Sequence, residues 1–130
     1  VSAQDIARMD TGEIVEYEPV TPMELEFMIR ELGARLENAV PVLKELWAAR
    51  YSAERALIEE KAKAVLRSDA RTITEKRAEA DLATMTFRRD FDAAKETLHA
   101  AEELQKALAS RLMGLQNINK VLGHAYGASR

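Results

Sequence analysis

Residues 91–122, FDAAKETLHAAEELQKALASRLMGLQNINKVL, decide the fold. Phe91, Ala94, Leu98, Ala101, Gln105, Leu108, Leu112, Leu115, Asn119 and Leu122 recur at steps of three and four, which places them on one stripe of a helix. The repeat is a heptad seam, widened by Leu104 and Ile118 and carrying amides at Gln105 and Asn119. Upstream the pattern runs back without Pro or Gly to TITE, where Thr72 and Glu75 have the spacing of a helix capping box. A helix over 73–122 is therefore predicted, about 75 Å long at about 1.5 Å per residue. Such a rod cannot bury its own seam, so it needs another helix folded against it.

That second helix lies earlier in the chain. TPME supplies Thr21 as N-cap, Pro22 at the first helical position and Glu24 three residues after the cap. From there Leu25, Met28, Leu32, Leu36, Ala39, Leu43, Leu46, Ala53 and Leu57 form one apolar face. Arg50 occupies a stripe position and reads as a side chain that lays its stem on apolar surface and sends its charge to water. Pro41 lacks the N–H for the helical ladder and crowds the preceding turn, so a kink or break is expected at 38–41, separating helices over about 21–39 and 42–67. Gly123 and Gly127 read as the end of the last helix. Ser68, Asp69 and Thr72 mark a short loop. The fold class is all-α: a long antiparallel, coiled-coil-like helical hairpin over 21–130, kinked near Pro41. Residues 1–20, where GEIVEYEPV alternates loosely, form an extended or disordered arm with room for one short strand.

Composition agrees with long helices. Only 5% of residues are aromatic, with 47% hydrophobic and 32% charged, a balance rich in Ala, Leu, Glu, Lys and Arg. Leu98, Leu108, Leu112, Leu115 and Leu122 are the expected oligomer seam, since two helices leave much of each stripe open, and seam amides fix register and oligomer state. No cysteine is present, which excludes disulfides and cysteine-based zinc sites. No apolar run approaches a membrane span, so a cytoplasmic location without membrane partners is expected.

Catalysis lacks a constellation. His99 and His124 belong to no HExxH motif, no pair of Glu-x-x-His motifs exists, and neither a phosphate-binding glycine loop nor GxSxG occurs. No enzyme activity, cofactor or metal is expected. Binding remains, and charge points to where. The net charge is −3, yet six of the nineteen basic residues fall within 61–77: Lys61, Lys63, Arg67, Arg71, Lys76 and Arg77. Residues 104–130 add Lys106, Arg111, Lys120 and Arg130 and no acid, whereas residues 1–37 hold nine acids and three bases. Basic residues gathered at the tip of a hairpin suit phosphates, which they neutralise without reading base sequence.

Lys61-Ala62-Lys63 before the loop, and ALASRLMGLQNINKVL with Ala109-Ser110-Arg111 and Gly114 near the end, resemble the UvsY family of phage recombination mediators. The resemblance covers about half the chain. It implies a helical homo-oligomer that binds single-stranded DNA and helps load a recombinase onto strands coated by single-strand-binding protein, with Lys61 and Lys63 as the DNA contacts. Lys63 stands where the family has Arg, and the acidic arm has no counterpart. The alternative is a protein-binding module, either an inhibitor of a host protein, nucleic-acid mimicry included, or a helical scaffold.

Overall fold

In the computed structural model the backbone is described for Gln4–Ala7, Ile14–Tyr17 and residues 21–128, and side chains for 21–125. The protein is all-α in its body. Helix α1 is Pro22–Arg67, α2 is Ile73–Ala83 and α3 is Met85–Ala128. Ahead of them, strands β1 (Gln4–Ala7) and β2 (Ile14–Tyr17) pair antiparallel, with Gln4 opposite Tyr17 and Ala7 opposite Ile14. β2 falls in the expected IVEY stretch, and its partner β1 had no alternation to announce it. The other arm residues lie outside the described residues.

Both capping boxes start helices. The Thr21 N–H donates to Glu24 Oε2 at 3.2 Å while the Glu24 N–H donates to Thr21 Oγ1 at 3.1 Å, so two donors that helix geometry leaves free are satisfied reciprocally. At α2 the Glu75 N–H donates to Thr72 Oγ1 at 3.1 Å, with Thr72 in an extended conformation.

Three boundaries differ from expectation. The segments 21–39 and 42–67 are one helix, continuous through Pro41. A proline inside a helix costs about 3 kcal/mol, an amount that several turns of packed stripe on either side offset. The helix expected over 73–122 is instead two, divided at Thr84, whose φ of −110° and ψ of 17° depart from helical values. Thr84 is buried, and its hydroxyl donates to the Ala80 carbonyl at 2.7 Å, which also accepts the Thr84 N–H at 3.0 Å. A threonine that binds back to the preceding turn bends a helix. The Arg88 N–H still reaches the Thr84 carbonyl at 3.1 Å, so the ladder resumes at once. Finally, α3 does not stop at Gly123 or Gly127 but runs to Ala128, each glycine costing a helix only about 1 kcal/mol.

The chain divides into two compact units, Val1–Ala34 with Ala109–Arg130, and Arg35–Leu108. Among the described residues of the first, Leu25 and Leu32 are buried, and in the second Ala80, Thr84 and Leu98 are. In the second unit, three polar contacts cross from α1 and its following loop to α2 and α3. Gln105 Nε2 donates to the Leu36 carbonyl at 3.1 Å, Lys61 Nζ meets Asp81 at 2.7 Å, and the Ser68 hydroxyl donates to Glu79. As one partner advances along the chain the other retreats, the order that antiparallel neighbours give. Of the predicted seam, Leu98 is buried, while Leu108, Leu112, Leu115 and Leu122 are half-buried. Gln105 is half-buried and Asn119 exposed.

Arg50 is half-buried on its stripe position. Its guanidinium carbon sits 5.2 Å from the centre of the Trp47 ring, itself 5.6 Å from the Tyr51 ring, and its Nε is buried without a hydrogen-bond partner. The aromatic face takes part of the charge instead.

Candidate nucleic-acid interface

The basic cluster surrounds the loop between α1 and α2. This loop is tied by its own side chains: the Ala70 N–H donates to Ser68 Oγ at 3.2 Å, the Ser68 hydroxyl reaches Glu79, and Thr72 caps α2. The Ser68 N–H continues to the Val65 carbonyl at 3.3 Å, closing the last turn of α1.

The six cations separate into two groups. Lys61 is held by Asp81 at 2.7 Å, across the loop. Lys63 is held on its own helix by Glu59 at 3.1 Å and Glu60 at 3.5 Å. The hydrogen bond to Glu59, followed by the charges of Glu59 and Glu60, raises the Lys63 pKa above its usual 10.5, so it is fully charged at neutral pH yet already matched by carboxylates. Both lysines are solvent-exposed, and ion pairs of that kind are exchangeable with solvent and with other anions. By contrast Arg67, Arg71, Lys76 and Arg77 form no ion pair among the described residues; Lys76 is half-buried and the three arginines are exposed. These four, and not the Lys-Ala-Lys element, are the cations the tip presents unmatched.

Further along, Arg88 and Lys95 share Asp92, at 3.6 Å and 3.7 Å, and Lys95 also lies 4.5 Å from the centre of the Phe91 ring. Arg89 is exposed and unpaired among the described residues. A cleft of about 260 Å³ at the Thr84 junction is lined by Leu57, Lys61, Asp81, Thr84, Met85 and Arg88. Its cations face acids, so it is close to neutral. The pairing of Lys63 was readable from Glu59 and Glu60, which stand at the spacing that meets on a helix. That of Lys61 was not, since Asp81 arrives from across the loop.

Among the described residues no group of three His, Cys, Asp or Glu side chains could hold a metal ion, and no helix is long and apolar enough to cross a membrane. The chain matches no protein-family model, no curated protein and no solved structure.

Proposed function

We propose that this chain is a non-catalytic accessory protein of phage DNA recombination that binds single-stranded DNA through the tip between α1 and α2. The observation that carries the reading is the set of four unmatched cations, Arg67, Arg71, Lys76 and Arg77, held around a loop whose Ser68 and Thr72 hydroxyls are both hydrogen-bonded. In this reading the molecule is a long antiparallel helical hairpin, bent at Pro41, that self-associates. The retreating order of the Leu36–Gln105, Lys61–Asp81 and Ser68–Glu79 contacts supports the hairpin. The recombination context, with a recombinase and a single-strand-binding protein as partners in the cytoplasm of the host cell, rests on the resemblance of Lys61-Ala62-Lys63 and Ala109-Ser110-Arg111 to the mediators.

The test is anisotropy of a labelled single-stranded oligonucleotide over a salt series. Four neutralised phosphates give a log–log slope of about −2.8, at about −0.7 each, with little dependence on base sequence. Arg71→Ala with Arg77→Ala flattens the slope by about 1.4. Lys61→Ala with Lys63→Ala changes it by less than about 0.5, since each must first leave its carboxylates to meet a phosphate. Absence of binding at low salt refutes the reading.

A second reading, a protein-binding module acting as inhibitor or scaffold, is favoured by Leu66 and Leu82, which lie near the same tip and are almost wholly exposed. Its mark is a protein partner retained by a chain that ignores DNA.

A further inference from the structure

The unit made of Val1–Ala34 and Ala109–Arg130 leaves two apolar patches uncovered among its described residues. On α3, Gly114, Ile118, Val121 and Ala125 step by four, three and four, so they form a stripe roughly 100° around the helix from the Leu115–Leu122 seam. All four are exposed, Ile118 at 52% and Val121 at 67%, and a Cβ added at Gly114 would meet nothing within 4 Å. A helix with two stripes is built to lie between two neighbours. On the first turns of α1, Met23 (82% exposed) and Phe27 (66%) line a recess of about 510 Å³ with Glu24 and Met28.

Charge distinguishes the two patches. Arg111 flanks the α3 stripe, about 50° around the helix from its centre, while Lys120 lies about 130° away; no acid occurs from residue 104 onward, and Arg111 is not ion-paired among the described residues. The first turns of α1 carry Glu24, Glu26 and Glu31 against Arg30, and Arg30 is already held by Glu26 at 2.6 Å. The α3 stripe of one copy set against the α3 stripe of another would therefore offer Arg111 no carboxylate. Set against the Met23–Phe27 patch of another copy, the same stripe meets carboxylates.

We propose that a second copy of this chain covers these patches in a two-fold arrangement, the Ile118–Val121 stripe of each protomer lying on the Met23–Phe27 patch of the other. In an isologous contact both patches of both copies are used at once. The four large side chains expose roughly 500 Å² per protomer, at about 200 Å² for each fully exposed side chain, so the pair can bury about the 1,000 Å² that a specific interface requires. The Leu98–Leu122 seam then serves mainly within the chain, and assembly uses a different face of the same helix. This inference deepens the self-association part of the proposed function and rests on it, while being independent of DNA binding.

The test is sedimentation equilibrium of the full chain, with far-UV circular dichroism to verify helicity. The parent is expected to exceed monomer mass at micromolar concentration. Ile118→Glu with Val121→Glu, both on exposed helix surface, is expected to weaken association at least about 100-fold with helicity unchanged. Arg111→Glu is expected to weaken it about fivefold, and adding Glu31→Lys to recover part of that loss. A parent that sediments as a monomer overturns self-association and this interface together. An assembled parent whose mass survives the Ile118/Val121 pair overturns the interface alone. Should that pair lose helicity, the charge-reversal series decides: recovery by Glu31→Lys upholds the interface and its absence overturns it.

Discussion

Substituting Pro41 and Gln105 with Ala, singly and together, measures how the helix accommodates its internal proline. Pro41 offers no N–H to the Glu37 carbonyl four residues earlier, and its ring pushes that turn open. The carbonyl one residue before it, that of Leu36, receives the Gln105 side-chain amide at 3.1 Å. A half-buried amide on an apolar seam is destabilising unless it is bonded, and here it is bonded to the turn beside the proline. We expect Gln105→Ala to cost about 1–2 kcal/mol, the sum of a net hydrogen bond of about 1 kcal/mol and some lost stem packing. In the Pro41→Ala background the turn closes, the Leu36 carbonyl is shielded within the ladder, and the same substitution costs about 0.5–1 kcal/mol less. The assay is urea unfolding followed at 222 nm for all four proteins at one protomer concentration, since assembly makes stability concentration-dependent. A coupling energy below about 0.3 kcal/mol, the scatter of independent sites, refutes the link between proline and amide.

Other outcomes follow from single features. Leu98→Ala is expected to destabilise by about 2–4 kcal/mol, whereas Leu82→Ala on the exposed face changes stability by less than about 0.5 kcal/mol; equal effects in urea unfolding would contradict the assigned seam. Thr72→Ala removes the acceptor for the Glu75 N–H and is expected to cost about 1 kcal/mol, with Thr72→Asp recovering most of it by the same assay. Thr84→Ala removes the back-bond to Ala80 and is expected to join α2 to α3, seen as a small gain in ellipticity and slower amide exchange at 84–88.

The readings that held are those in which one local pattern faces no competitor. TPME and TITE name their caps because a threonine hydroxyl accepts the N–H three residues on regardless of what packs above it, and in TPME the Glu24 carboxylate returns the bond. Leu25, Leu32 and Leu98 are buried at positions the three-and-four repeat selects. What the pattern missed was decided by balance or by distance. Pro41 does not break α1, because its local cost is weighed against the packing of a 46-residue helix. Thr84 divides α2 from α3 by a hydroxyl choosing a carbonyl, a preference that every mid-helix threonine carries and few express; Thr97 makes the same bond to Ala93 at 2.9 Å without interrupting α3. At the candidate site, charge counting located the tip but treated all six cations alike. For Lys61 the difference is made by Asp81, twenty positions beyond it and invisible to a linear reading, whereas the Glu59 and Glu60 that hold Lys63 stand at a legible helical spacing.

The retreating order of contacts in the Arg35–Leu108 unit also sets an order in time. Ser68 and Glu79 are separated by 11 positions and Leu36 and Gln105 by 69. Closing the longer loop from an unfolded chain costs about 1.6 kcal/mol more, from the logarithm of the length ratio. If the short loop closes first, each later pair is brought near by the one before it and meets a much smaller loop. The tip is thus the natural nucleus and the Leu36–Gln105 contact a late event. Substitutions at Ser68 or Thr72 should slow refolding, while those at Gln105 should act on the unfolding arm of the chevron. The turn that presents the cations would then be the first part of this unit to acquire its shape in each folding event.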